Sequence, residues 1–430
     1  MKTPTPTPIP LILLLLITLS TVIPHTTSKT HWRDILVLKQ LKLSISPTSI
    51  PPASCISTWD FTYDPCDHLS SDKFTCGFTC TTLGGAQNIS RVTELALDSP
   101  GYSAQLAAVT WTLPFLTVLD LTGNNFSGPI PDSFSGLTRL TKLTLSRNSV
   151  SGPLPGSLGR LNSLEEIYLD NNALVGPIPR SFSGLVGLKR LELQGNKLGG
   201  ELPDLSRLSS LYLIDLGDNS FSGGFPTSLP ASLVEVSMRG NKLNGNLPFE
   251  SVVKLGFLQV LDLSYNQLSG SIPASLFTRP SLQQLSLAYN NFTSIEVPNG
   301  FGAGMDPGLI AVDLSYNELN GVLPGFMGLM PKLSSLSLEN NKLMGLIPTQ
   351  YALKTVWPEP GIAQFDRLLL GGNYLFGPIP DPLMRMEPGS ARVNLVDNCL
   401  FMCPITVFFC QGGDQKSLVE CRNNIGPVIP

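Results

Sequence analysis

The sequence predicts an α/β solenoid: about 12 stacked repeats, a parallel sheet along the concave side, and ends closed by disulfides. Three observations carry that prediction. The chain is self-similar with a period near 24 residues across about 300 of its 430 residues, an Asn recurs once per unit, and all eight Cys lie outside the repeating region.

The unit reads LxxLxLxxNxLxGxIPxxLxxLxx, as in LTKLTLSRNSVSGPLPGSLGRLNS from Leu140. Units begin at Val92, Leu116, Leu140, Leu164, Leu188, Leu211, Leu233, Leu258, Leu282, Leu309, Leu333 and Phe365, and a remnant carries Val393, Leu395 and Asn398. In LxxLxLxx apolar residues alternate with exposed ones, as a short strand with one buried face requires. Stacked units then form one parallel sheet, each adding roughly 4.8 Å.

The Asn column, from Asn124 and Asn148 to Asn373 and Asn398, reads as structural. A buried amide needs partners, and a column of amides bridges backbone groups of neighbouring turns. Pro100 takes the place of the Asn in the first unit, which suits an atypical capping repeat. The GxIP element follows, as in Gly128-Pro129-Ile130-Pro131. Gly permits a tight turn there, and Pro ends regular pairing before a convex segment of loose helical turns.

A solenoid buries its core only between neighbours, so both ends need covers. The amphipathic stretch 32–43 with Cys55, Cys66, Cys76 and Cys80 fits one cover; Cys399, Cys403, Cys410 and Cys421 fit the other. Two even clusters in an exported chain favour two disulfides at each end, with three connectivities open in each. The resulting organisation is a signal peptide over 1–28, an N-terminal Cys-containing cap over 29–91, repeats over 92–398, and a C-terminal Cys-containing cap and tail over 399–430.

Met1-Lys2 and the apolar run from Leu11 to Ile23 are what mark the signal peptide. No later segment approaches the roughly 20 apolar residues of a membrane helix, so no transmembrane anchor is expected on the chain itself. Asn88, Asn125 and Asn291 lie in sequons and are expected glycosylation acceptors.

Composition narrows the function classes. Leu supplies 72 residues and Gly with Pro nearly 18 %, whereas charged residues supply 14 % and the formal charge is −4. Disorder and nucleic-acid binding by phosphate neutralisation are excluded on those numbers. No catalytic residue is assigned: no His falls inside the repeats to serve as a base, and no carboxylate pair stands out from the regular spacing. No metal and no cofactor is expected either. The Cys-x3-Cys spacings have only His25, His31 and His68 to draw on, and Gly300-Phe301-Gly302-Ala303-Gly304 lacks the strand and helix of a phosphate cradle.

The LxGxIP repeat resembles the signature of plant-type extracellular leucine-rich repeat proteins, and Asp34-Ile35-Leu36-Val37-Leu38-Lys39, Trp59-Asp60 and Asp64-Pro65-Cys66 resemble their N-terminal cap. The resemblance implies a right-handed leucine-rich repeat superhelix of the receptor-like protein and polygalacturonase-inhibitor-like superfamily. Its relatives include receptor-kinase ectodomains, receptor-like proteins, polygalacturonase inhibitors and wall-bound extensin fusions. Nine residues follow Cys421, so neither a kinase nor an extensin tail is expected here.

Binding in such a solenoid uses the solvent-facing strand positions. The mid-strand column runs Asp120, Thr144, Tyr168, Glu192, Asp215, Ser237, Asp262, Ser286, Asp313, Ser337, Leu369. Glu166, Tyr168, Asp170, Arg190, Glu192, Tyr212 and Asp215 form its most charged and aromatic neighbourhood and are the candidate ligand residues. Tyr265, Tyr289 and Tyr316 share one register and form an aromatic strip, whose competing role is packing between turns. Insertions at 299–308 and 351–364, the second containing Trp357, read as function-bearing loops.

The expected function is a secreted protein that binds an extracellular peptide or protein ligand in the wall space, as a receptor-like or co-receptor component in signalling or defence. A membrane receptor kinase is a candidate partner and nucleic acid is not. Inhibition of secreted pectin-degrading enzymes and a structural wall role are the alternatives.

Overall fold

The computed structural model describes residues 29–84, 88–299, 306–401, 403–404 and 406–425. The signal peptide assigned to 1–28 and the glycine-rich 300–304 segment lie outside these residues.

Each unit contributes one short inner strand, and these pair in parallel from Ile89–Ala96 through Val118–Asp120 to Arg392–Asn394. With Lys29–Thr30 and the antiparallel Phe78–Leu83 at the N-terminal end, the inner sheet has 15 strands. The three leucine positions of each unit point inward; Leu140, Leu143 and Leu145 are fully buried. Several convex segments are single 3-10 turns such as Asp132–Gly136 and Gly156–Arg160, opening directly after the Pro of GxIP, while Phe249–Lys254 and Thr349–Val356 are short α-helices. Solenoid, parallel inner sheet and disulfides near the ends are all as the repeat predicts.

The segment between the ladder Asn and GxIP departs from the sequence reading. It forms a second ladder of parallel strands on the flank, nine from Ser103–Gln105 to Asn291–Ile295 and four from Asn320–Val322 to Cys399–Phe401. The break falls where the 299–308 insertion interrupts the period. Propensity hides these strands, since a segment such as Ser149–Pro153 carries Gly and Pro. Gly is required because the chain turns there with positive φ; at Gly270 φ is +81°, and a Cβ would fall 2.5 Å from Asn246 Oδ1.

The Asn column holds successive turns together. Asn266 Nδ2 donates to the carbonyls of Met238 (2.9 Å), Leu263 (3.0 Å) and Ser264 (3.2 Å), while its Oδ1 accepts from the Leu243 amide at 2.9 Å. One side chain thus satisfies backbone groups of two turns. At the first unit, where Pro100 replaces Asn, Asn124 Oδ1 takes the amides of both Gly101 (3.2 Å) and Tyr102 (2.9 Å).

The caps finish both ends. Trp32–Ser44 forms a helix whose fully buried Asp34 makes a two-pronged ion pair with Arg91 (2.9 and 2.8 Å) and accepts the Val92 amide at 2.9 Å. Trp59 is buried and donates to the Cys76 carbonyl at 2.9 Å. The disulfides pair Cys55 with Cys76, Cys66 with Cys80, Cys399 with Cys421 and Cys403 with Cys410, which resolves the connectivity left open by the sequence.

The first part of the 351–364 insertion is helix rather than the loop expected from the sequence. The Thr349–Val356 helix buries Tyr351, whose hydroxyl donates to the Pro324 carbonyl at 3.0 Å. Lys354 is 2 % exposed; its Nζ donates to the Met330 carbonyl at 2.6 Å and lies 5.1 Å from the Phe365 ring centre, with no carboxylate in an ion pair among the described residues. Burial pushes its pKa down to about 8.

Two predictions follow from this packing. Asn266→Ala strands the buried Leu243 amide and is expected to lower unfolding stability by about 3 kcal/mol in urea titration; an unchanged midpoint would deny the column its structural role. Lys354 binds its proton less tightly folded than unfolded, where the pKa is about 10.4. Stability should therefore rise with pH between about 8 and 10, and Lys354→Met should flatten that rise in melting curves taken across the window.

Candidate functional site

The inner strands bring Lys142, Glu166 and Arg190 into direct cross-strand register, with Thr144, Tyr168 and Glu192 as a second row beside them. Charges alternate along the first row. Lys142 Nζ lies 3.5 Å from Glu166 Oε2, and Arg190 pairs with Glu192 on its own strand. Tyr168 sits between the two cations, with Lys142 Nζ 5.1 Å and Arg190 Cζ 5.4 Å from its ring centre. Its hydroxyl donates to Glu166 Oε2 at 3.1 Å. Burial, then the Glu166 carboxylate, pushes that hydroxyl up to about 12, so it remains a donor at any physiological pH.

Asp215 is the register partner of Glu192 on the next strand. Burial and the neighbouring carboxylates of Glu192 and Asp218 raise its pKa against the opposing hydrogen bonds from the Gly217 amide and Ser237. Tyr212, 40 % exposed, stands on the same turn. Asp170 does not join the surface. It is 7 % exposed, and its two oxygens accept from Ser146 Oγ and from Asn171 Nδ2 (2.8 Å), which makes it a packing residue. Thr144, Ser337 and Leu369 in the mid-strand column are also buried, because short or apolar side chains there lie below the surface of longer neighbours.

Lys142 was not among the candidates chosen from sequence, although its register with Glu166 and Arg190 was available as a signal. Among the described residues, Thr122 Oγ1, Thr144 Oγ1 and Gln194 Oε1 are buried without a hydrogen-bond partner. Among the described residues no group of His, Cys, Asp or Glu is arranged to hold a metal ion.

The tyrosine strip is real packing, and it also remains on the surface. Tyr265 and Tyr289 stack with ring centres 4.2 Å apart, Tyr289 and Tyr316 at 4.1 Å, with interplanar angles of 11° and 9°. All three have positive φ near 55° and stay 38–45 % exposed. Arg239 lies 5.0 Å from the Tyr265 ring centre at one end of the stack.

The sequon residues Asn125 and Asn291 are exposed on the flank sheet, in strands Asn125–Gly128 and Asn291–Ile295, while Asn88 is half-buried. No helix among the described residues is long and apolar enough to cross a membrane.

Comparison with known proteins fits this geometry. One leucine rich repeat family model matches residues 154–198, and a second matches 115–137, 139–161 and 257–278. Receptor-like protein 39 of Arabidopsis thaliana is 30 % identical over 200 residues, covering 40 % of this chain and 22 % of that protein. The transforming growth factor beta activator LRRC32 of Mus musculus is 36 % identical over 146 residues, covering 33 % of this chain and 20 % of that protein. The chain thus spans about a fifth of the length of these curated relatives. Among solved structures, PEPR1 with AtPEP1 superimposes with a TM-score of 0.71 at 30 % identity, covering 86 % of this chain and 49 % of that one. The plant peptide hormone receptor RGFR1 in complex with RGF2 gives 0.59 at 26 % identity, covering 77 % and 59 %. Repeat, caps and neighbours agree: the chain is a leucine-rich repeat protein of the plant extracellular type.

Proposed function

We propose that the chain is a secreted, non-enzymatic receptor-like or co-receptor component that binds a peptide or protein ligand on its inner face, around Tyr168. The observation that carries this reading is the half-buried tyrosine ring held between Lys142 and Arg190, with the Glu166 and Glu192 carboxylates beside it. A rigid aromatic anchor with polar groups around it is the composition of an interface hot spot. The likeness to ectodomains solved with AtPEP1 and RGF2 supports a peptide as the ligand class. The expected sequons at Asn125 and Asn291 support the same assignment, since glycans there would coat the flank sheet and leave the inner face clear. A membrane receptor kinase in the wall space is the partner that would carry a signal onward.

The experiment is capture from plant wall extracts with the tagged protein and with a Tyr168→Ala/Arg190→Ala variant of matched melting temperature. A peptide or protein enriched by the native chain should bind the variant at least about thirtyfold more weakly, the effect of losing one hot spot. Equal capture by both would move the site elsewhere. Inhibition of a fungal polygalacturonase by the purified protein, retained in the variant, would favour the enzyme-inhibitor reading instead.

A further inference from the structure

Two aromatic rings on this solenoid are bracketed by cations from the turns on either side. Phe115 lies between Arg91 (4.4 Å) and Arg139 (4.2 Å), and Tyr168 between Lys142 (5.1 Å) and Arg190 (5.4 Å). The three-tyrosine stack differs from these two. Arg239 covers the Tyr265 end at 5.0 Å, but among the described residues no ring or cation covers the outer face of Tyr316.

The residue at this register in the next turn is Asn340. Its amide oxygen leans away over Gly372, where a Cβ would fall 2.4 Å from it. Tyr316 is 45 % exposed. On the same turn, Asp313 Oδ1 accepts from the amide (3.0 Å) and hydroxyl (2.6 Å) of Ser315, the residue just before Tyr316. The other carboxylate oxygen has no hydrogen-bond or ion-pair partner among the described residues.

We infer that the open face of Tyr316, together with the Asp313 carboxylate on the same turn, is a docking slot for an arginine side chain of the ligand, which completes the stack as Arg239 does at the other end. Arginine fits better than lysine because a planar guanidinium lies flat on a ring and still directs N–H groups to a carboxylate. Asp313 also lines a cavity of about 220 Å³ with Ser286, Ser335, Ser337 and Arg367, which Tyr316 does not line. Arg367 offsets part of the carboxylate's attraction, so ring face and carboxylate are needed together. The slot rests on the reading of the inner face as the ligand surface and extends it from Tyr168 towards the C-terminal turns.

Acetyl-arginine amide and its neutral isostere acetyl-citrulline amide are the probes, read by NMR on the full chain with ring-labelled tyrosine. Tyr316→Asn identifies the Tyr316 signal, and Asn already occupies this register at Asn171 and Asn340 with positive φ, so the backbone accepts it. The arginine amide should shift the Tyr316 signal saturably with a Kd on the order of 10 mM, and the citrulline amide should not. Asp313→Asn, which keeps the acceptor for Ser315, should weaken the arginine amide about tenfold. Equal shifts from both amides, no saturable shift, or no loss in Asp313→Asn would overturn the slot. A slot that binds the arginine amide while wall-extract capture finds no ligand would isolate the failure to the broader reading.

Discussion

No turn of this protein satisfies its own backbone. Amides and carbonyls at the bend after each inner strand are buried, and the group that pairs them is an Asn shared with the adjoining turn. Asn341 shows the arrangement: its Nδ2 reaches the Leu314 carbonyl of the preceding turn at 3.0 Å and its own Leu338 and Glu339 carbonyls at 3.1 Å, while Oδ1 takes the Leu319 amide at 3.0 Å. A turn without its neighbour would leave buried donors unpaired, at about 1–3 kcal/mol for each group. Folding is therefore cooperative along the stack, and the ends need the extra chemistry of the Asp34–Arg91 pair and four disulfides.

The same strict period governs the surface. A residue at a given register meets the residue at that register one strand away, at a spacing of roughly 4.8 Å. Like charges so placed repel and opposite charges attract. Lys142, Glu166 and Arg190 obey this by alternating, and Tyr265, Tyr289 and Tyr316 obey it by stacking ring on ring. The inner face is thus a set of columns whose chemistry is decided between neighbours, and a side chain cannot be assessed from its own turn alone.

That dependence explains which features were legible in the sequence. The repeat, the leucine positions and the Asn column are properties of a single unit multiplied, so alignment of the chain with itself exposes them. The tyrosine strip was visible for the same reason, although its stacking geometry was not. The flank sheet was hidden because its strands contain Gly and Pro, and their pairing arises only when turns are stacked. Asp170 looked like a surface acid until Ser146, one turn earlier, was placed against it. Lys142 looked ordinary until its column was assembled. The disulfide pairs depend on distances that no local pattern encodes.

The two centres on the inner face differ in a way that bears on recognition. Around Tyr168 Lys142 is already paired with Glu166 and Arg190 with Glu192, so a charged ligand group gains little from these four beyond what it displaces. What that centre offers is shape and the Tyr168 ring surface, which favour uncharged groups. At Tyr316 the column ends open and a carboxylate keeps one oxygen free, which favours a cation. A ligand that spans both must therefore present uncharged groups to the earlier turns and positive charge to the later ones. The solenoid fixes that order because repeat number sets position along the face.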